Sequence, residues 1–421
     1  MAYTIGIYTL GCRVNQYESS ALAKLFSDNG FCISPFNKPC DAYVINTCTV
    51  TAESDRKSLK AVRRAVSSGA LVAVCGCSSQ LDGERYLKAG ASFVCGTRNK
   101  LEIFNYVKNN IGKTAEKAVS TPEPSSLPYE KMHGISTERT RAYVKIQDGC
   151  DGACTYCAIK NARGKSVSRG REDILSEVRE LSSNGFCEVV LTGIETSSYT
   201  DLPSLVKEAA EIPGIKRIRL GSLDPSFLRK DTADELLSCE KLCCHFHLSV
   251  QSGNDRILAL MKRRYNSSIL RRNIENILSL NSDFRFSCDI IAGFPTEGDE
   301  ELEDTASLLR DYPFVHAHIF PYSERAGTPA SVMQGSLDIP TRKAHAEYLD
   351  KISKEKALRL ISRDAEEKKV LSVLFETYKN GTLCGHALDF TEVYMLGKES
   401  LKGKIVSVNA DRIEDGKLFA R

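Results

Sequence analysis

Gln147-Asp-Gly-Cys150-Asp-Gly-Ala-Cys154-Thr-Tyr-Cys157 places three thiols at the spacing C-x3-C-x2-C. Three thiolates so spaced can ligate three irons of a [4Fe-4S] cube and leave the fourth open to a small ligand. Gly149 and Gly152 supply the backbone freedom that a tight loop around a cube needs, and Tyr156 stands where it can cover the cube from water. A structural zinc site is the alternative reading. Zinc takes four ligands, usually as pairs of Cys or His, and no histidine lies between His133 and His245 to complete one here.

The same stretch fixes the fold around it. Ala142-Ile146 is an apolar run leading straight into the loop, and further runs of strand character follow at Glu188-Leu191, Arg217-Leu220, His245-Ser249, Ser287-Ile291 and His316-Phe320. Helical patterns such as Arg171-Asn184 and Leu270-Leu280 lie between them. This alternation predicts an open, partial (β/α)6 TIM-like barrel. Polar or Gly-rich segments close each strand: Thr192-Glu195, Gly221-Pro225, Val250-Gly253, Ala292-Gly298 and Pro321-Pro329. Barrel enzymes build their sites at that face. Basic residues gather nearby, at Lys160, Arg163, Lys165, Arg169 and Arg171 and at Lys262-Arg-Arg264, and are expected to attract a polyanion through phosphate contacts.

Before the barrel, residues 1 to about 112 alternate apolar runs (Ile5-Leu10, Ala42-Ile45, Leu71-Val74, Phe93-Val94) with helical stretches (Tyr17-Asp28, Ala52-Ser67, Leu101-Asn110). The rhythm predicts a doubly wound parallel sheet, whose ligands gather at the carboxyl ends of its strands. Three cysteines fall there: Cys12, Cys48 and Cys77. A small buried hydrophobe is the plainer role for each, and a flavin site is disfavoured because the first loop offers a thiol in place of a Ser/Thr-rich phosphate cradle. Cys32, Cys40, Cys75 and Cys95 read as core or incidental. Gly76 lets the chain leave the sheet after Cys75, which sends Cys77 to the edge. Residues 113–138, with the Pro/Ser-rich Ser120-Pro128, read as a linker.

After a helical run at Lys351-Glu367, residues 366–421 turn to short alternating strands at Val370-Tyr378, Thr382-Phe390, Glu392-Leu396 and Lys404-Ala410, a small antiparallel OB-like barrel. Nine Lys/Arg against nine Asp/Glu from Glu366 onward give this unit no basic signature of its own. The 421 residues suffice for several cores, and 42% hydrophobic with 26% charged residues excludes a disordered chain. No run approaches a membrane span, and the start lacks a basic signal region. Sixteen cysteines without such a signal imply reduced thiols, and hence a cytoplasmic protein.

The first cysteine pattern resembles the signature of radical S-adenosylmethionine (SAM) enzymes, in which the open iron chelates SAM and the reduced cluster cleaves it to a 5′-deoxyadenosyl radical. With both triads placed, the whole chain resembles the methylthiotransferases of that superfamily, which join a methylthiotransferase domain (here 1–112), a radical SAM domain (139–365) and a TRAM domain (366–421). The resemblance implies a SAM-binding [4Fe-4S] cluster on Cys150, Cys154 and Cys157 and an auxiliary [4Fe-4S] cluster on Cys12, Cys48 and Cys77. Gly11-Cys-Arg-Val-Asn-Gln-Tyr-Glu18, Val44-Glu53 and His318-Ile-Phe-Pro-Tyr-Ser look most like the branch that modifies N6-threonylcarbamoyladenosine beside the tRNA anticodon. Ala153 and Lys160 depart from the aromatic and the proline common in the family.

That resemblance implies conversion of an adenosine C2-H to C2-S-CH3, with SAM as radical source and methyl donor. Glu195 is the expected partner of the SAM ammonium, Ser222 and Gln251 of its ribose or carboxylate, and Arg163, Lys165 and Arg264 of tRNA phosphates. The implied partners are a tRNA already carrying the threonylcarbamoyl group, an electron donor such as flavodoxin or ferredoxin, and a sulfur source. Isopentenyladenosine in tRNA or a ribosomal protein as substrate, a second cluster that only relays electrons, and a non-catalytic RNA-binding Fe-S protein are the competing readings.

Overall fold

In the computed structural model, which describes residues 2–134 and 140–421, the chain forms three packed units in sequence order. The first is a six-stranded sheet of β1 (Thr4–Thr9), β2 (Cys32–Ser34), β3 (Ala42–Thr47), β4 (Leu71–Gly76), β5 (Phe93–Cys95) and β6 (Ala118–Ser120). The order β2-β1-β3-β4-β5-β6 is parallel throughout. β3 is buried along its whole length and β4 at all but its first residue. Strands covered on both faces read as continuous apolar runs, which is why these two are plain in the sequence. Helix α1 (Arg13–Asp28) packs one face around Leu22, Phe26 and Ile103, and α2 (Ala52–Val66) packs the other around Val62, Val74 and Tyr86.

The expected linker is not a spacer. Ala118–Ser120 is the sixth strand, paired with β5. The Pro/Ser-rich part that follows is a strap held to both neighbours: Gln80 Nε2 donates to Pro122 O at 2.9 Å, Arg98 Nη1 to Pro124 O at 3.1 Å, and Tyr129 OH to Lys145 O at 2.8 Å. Its composition suits a linker because backbone carbonyls, which no residue type advertises, make these contacts. Residues 135–139 of the expected linker lie outside the described residues.

The second unit contains β7 (Ala142–Lys145), β8 (Gln147–Asp148), β9 (Val167–Ser168), β10 (Glu188–Thr192), β11 (Arg217–Leu220), β12 (Ser222–Leu223), β13 (His245–Gln251), β14 (Arg285–Ala292) and β15 (Phe314–Pro321). Two parallel sheets, β11-β10-β7 and β12-β13-β14-β15, make a partial barrel. Gly221 falls between β11 and β12, where a Cβ would lie 2.7 Å from Thr196 Oγ1. Among the described residues no pairing joins β7 to β15, so the barrel is open. Its helices pack outside around one core that includes Val144, Leu191, Ile218, Phe246 and Ile290.

The 28-residue helix Ile339–Glu366 leads to the third unit and starts well before the expected Lys351. Asp338 caps it by accepting from Thr341 N at 2.8 Å, and the proline after Ile339 opens the helix where it resembles a breaker. β16 (Val370–Lys379), β17 (Thr382–Ala387), β18 (Glu392–Leu396), β19 (Ile405–Glu414) and β20 (Lys417–Ala420) then close a barrel in the order β16-β17-β18-β20-β19. It is mixed, not purely antiparallel, because β18 and β20 run parallel. Buried arginines of the second unit dock it: Arg217 Nη2 donates to Ser372 O at 2.7 Å, Arg219 Nη2 to Ala387 O at 3.2 Å, and Arg285 to Thr391 Oγ1 at 2.6 Å and to both Asp364 oxygens.

Candidate metal centres and the cavity between them

The loop Gly149–Ala158 is held at its neck by the ribbon of β8 with β9, and Cys150 N donates to Gly164 O at 3.1 Å. Gly149 has φ +71°, and a Cβ there would lie 2.2 Å from Lys165 O, so only glycine fits. Backbone amides aim at two of the sulfurs: Gly152 N to Cys150 Sγ at 3.2 Å and Ile159 N to Cys157 Sγ at 3.4 Å. Arg263 Nη1 donates to the third, Cys154 Sγ, at 3.2 Å. A Cβ on Gly152 would sit 3.1 Å from Cys150 Sγ and 3.7 Å from Cys154 Sγ, which is where a bound cube would need room. Three thiols with donors on their sulfurs fit the cysteine side of a [4Fe-4S] cluster.

Burial, and then the neighbouring Glu195 carboxylate, push the Cys150 thiol up to about 12, and burial pushes Cys157 up to about 11. Thiols so placed need a cation to hold them as thiolates. Cys150 Sγ lies 2.9 Å from Glu195 Oε2, while Glu195 N donates to Gln147 Oε1 at 3.0 Å. Glu195 is therefore at the rim of the triad. Tyr156 packs beside it against Met261, Phe294 and Tyr322. Ser222 lines the adjoining cavity, and Gln251 is buried at the end of β13 with φ +67°.

The second triad is assembled by three strand ends. Cys12 caps α1 after β1, Cys48 follows β3, and Cys77 opens α3 (Cys77–Leu81) after β4. Gly76 makes the exit from β4 with φ +108°, a Cβ there being 2.4 Å from Thr47 O. Cys75 consequently stays in the apolar core with Cys95, and Cys77 turns toward the other two. Asn15 pins the first two loops together by donating to Leu10 O at 2.7 Å and Thr47 O at 3.0 Å. Gly11 is needed beside them, as its Cβ would approach Cys48 Sγ to 3.0 Å. Burial, followed by the charge of Cys77, pushes the Cys48 thiol up to about 12. Val50 N donates to Cys48 Sγ at 3.4 Å and Arg163 Nε to Cys77 Sγ at 3.2 Å. This donor set likewise fits a second cluster.

Arg163 corrects the sequence reading. It is fully buried and touches no phosphate-accessible surface. Besides Cys77 it binds Glu18 Oε1 and Asp148 Oδ1, both at 2.9 Å, Asn15 Oδ1 at 2.7 Å and Glu18 Oε2 at 3.1 Å. Glu18 belongs to the first unit and Asp148 to the second, so the guanidinium joins them. Lys145 completes the network at 2.7 Å from each of those carboxylates. Arg169 is buried against Glu177 and Asp173 in the same way. Lys165 and Arg264 are exposed, Arg264 at 4.0 Å from Glu195, and the departing Lys160 and Ala153 are exposed as well.

A cavity of 1380 Å³ opens between the units. Cys12, Arg13 and Cys48 line it from the first, Thr192, Gly193, Ser222, His247, Asp289 and His318 from the barrel, and Phe390, Tyr394 and Lys417 from the third. The polar strand faces inside it were missed as site residues: His247 Nε2 meets Asp289 Oδ2 at 3.0 Å, and His316 Nε2 meets His318 Nδ1 at 3.0 Å. Burial, then His316, pushes His318 down to about 4, so it is neutral at pH 7. The signal available was alternation, since His245/His247 and His316/His318 fall on one strand face each. The loop after β15 reaches across the cavity to the Cys48 loop, with Arg325 Nη2 at 2.5 Å from Thr49 Oγ1 and paired to Asp55.

Comparison with known proteins agrees with this arrangement. The radical SAM superfamily pattern matches residues 144–309, and that of "Uncharacterized protein family UPF0004" matches residues 4–96. The threonylcarbamoyladenosine tRNA methylthiotransferase MtaB of Thermotoga maritima is 33% identical over 442 residues, covering 99% of each chain. The protein of that name from Bacillus subtilis is 31% identical over 96% of this chain and 93% of its own. A tRNA-2-methylthio-N(6)-dimethylallyladenosine synthase of Syntrophus aciditrophicus is 30% identical over 96% of this chain and 91% of its own. Among solved structures, the radical SAM methyltransferase TsrM of Kitasatospora setae shares the fold, with a TM-score of 0.56 at 15% identity over 79% of this chain and 77% of that one. With both cysteine triads in place and relatives matched end to end, the chain belongs to the methylthiotransferase family of radical SAM enzymes.

Proposed function

We propose that the protein converts N6-threonylcarbamoyladenosine next to the anticodon of tRNA into its 2-methylthio derivative. The observation that carries this is the pair of three-thiol donor sets joined through Arg163, one on the barrel loop and one at the rim of the cavity. Replacing an unactivated C2-H by sulfur needs a hydrogen-abstracting site and a sulfur-bearing site that reach one carbon. A reduced [4Fe-4S] cluster with SAM bound supplies the abstracting radical, and a second cluster supplies a place for sulfur.

In this reading Cys150, Cys154 and Cys157 hold the first cluster. Arg263 keeps Cys154 in place and is itself fixed by Asp224 Oδ2 and Ser249 O at 2.8 and 2.9 Å. Glu195 takes the SAM ammonium, Ser222 and Gln251 its ribose or carboxylate, and Tyr156 excludes water. Cys12, Cys48 and Cys77 hold the second cluster, with Arg163 donating to Cys77. Lys165 and Arg264 meet tRNA phosphates.

The functional units are residues 1–120, with β6 included, the barrel and its leading helix to about 366, and the small barrel beyond. A low-potential electron donor of the flavodoxin or ferredoxin type and a sulfide or persulfide source complete the reaction. No helix among the described residues is long and apolar enough to cross a membrane, in keeping with a cytoplasmic site of action on tRNA. The test is anaerobic reconstitution with iron and sulfide, incubation with SAM, reductant and tRNA bearing the threonylcarbamoyl group, and nucleoside mass spectrometry. A methylthio product is expected, whereas SAM cleavage without one would leave only a radical SAM enzyme of another kind.

A further inference from the structure

Arg13 is the first residue of α1, where the helix dipole disfavours a cation and no acid stands in the first turn to compensate. It lines the cavity, and among the described residues it has no hydrogen bond or ion pair. A half-buried guanidinium with no hydrogen bond or ion pair among the described residues costs stability, so its placement calls for a ligand. Tyr143 lines the cavity with it, and its cationic neighbours are Arg141 and Arg219. Both neighbours are themselves engaged, Arg141 with Glu376 at 2.8 Å and Arg219 with Glu188 at 3.1 Å. The acid facing Arg13 from the barrel, Asp289, is held by His247. Arg13 is thus the cation left over in this part of the cavity.

Position decides what it would meet. Arg13 adjoins Cys12, which stands on the side of the cavity where sulfur would be delivered to C2. The N6 substituent of adenine leaves the ring on the carbon one ring nitrogen away from C2, so a base with C2 toward Cys12 brings that substituent close to the start of α1. A threonylcarbamoyl group ends in a carboxylate there, whereas a dimethylallyl group is wholly apolar and offers a guanidinium nothing. We infer that Arg13 binds the threonyl carboxylate of the modified adenosine and thereby selects that base over apolar N6 substituents. This inference rests on the substrate reading given above.

The experiment compares two substrates: tRNA carrying the threonylcarbamoyl group, and the same tRNA with its threonyl carboxylate converted to the neutral amide. The natural enzyme should use the acid more efficiently by roughly 10- to 100-fold in kcat/KM, the worth of one charge-assisted pair. Arg13→Gln should lose activity on the acid and treat both substrates alike, and Arg13→Lys, which keeps the charge, should retain a preference. Equal use of acid and amide by the natural enzyme overturns the inference whatever the variants do, and so does an undiminished preference in Arg13→Gln. Absence of product from the acid with the natural enzyme would instead sink the substrate reading itself.

Discussion

Replacing Arg163 by Met separates two views of the basic residues after the cysteine loop. The side chain is fully buried, and its removal strips Glu18 and Asp148 of their shared cation and Cys77 of its donor. Breaking a buried ion pair by removing one partner costs about 3–5 kcal/mol. Here Glu18 keeps Lys145 at 2.7 Å and Lys100 at 3.2 Å, and Asp148 keeps Lys145 at 2.7 Å. The loss should therefore lie at the low end, about 3 kcal/mol. For units of this size that corresponds to a melting temperature lower by roughly 6–12 °C. The salt slope of tRNA binding should be unchanged in Arg163→Met, because a buried guanidinium releases no counterions from phosphate. A melting point within a degree or two of the natural protein, together with a slope reduced by about one unit, would return Arg163 to an RNA-facing surface.

Exposed Arg264 should behave oppositely, Arg264→Glu weakening tRNA binding and flattening its salt slope while leaving the melting point within about 1 kcal/mol equivalent; binding titrations at several salt concentrations check it. Cys77→Ala should lose the second cluster's iron, whereas Cys75→Ala should keep about eight irons per chain and cost roughly 1 kcal/mol of packing, as read by iron analysis and melting. Stability should fall as pH drops below about 6.5. Burial, then Arg219, holds His245 well below its ordinary 6.5, so the unfolded chain takes up a proton there that the folded one refuses. His245→Gln should flatten that part of a melting-temperature profile between pH 7.5 and 5.5, and an unaltered profile would show that another group titrates.

Strand and helix placement were legible where burial on both faces wrote apolar runs, as in Val44–Ile45 and Val72–Val74, whereas the order of the strands in the sheet was not. β2 and β6 escaped because a three-residue edge strand buries little and carries no pattern. Both cysteine triads could be read because ligand spacing and strand-end position are local properties. Arg163 and Arg169 could not: a basic residue a few positions from a loop has one appearance whether it faces solvent or a carboxylate far away in sequence. Glu18, 145 positions from Arg163, is visible only once the units are packed. His247, Asp289 and His318 follow strand alternation, but a polar residue alternating along a strand has one pattern whether its face lines a cavity or meets solvent.

In the proposed reaction two cysteine triads act on one carbon of a threonylcarbamoylated adenosine. The most direct test is mass spectrometry of nucleosides from such a tRNA after anaerobic reaction with the natural protein and with the Cys12/Cys48/Cys77→Ala triple variant, with 5′-deoxyadenosine quantified in both. The natural protein should add CH2S to the threonylcarbamoyl nucleoside, and the variant should form 5′-deoxyadenosine without that product. Methylthio product from the triple variant would rule out a role for the second triad, and none from the natural protein while dimethylallyladenosine is modified instead would rule out the threonylcarbamoyl substrate.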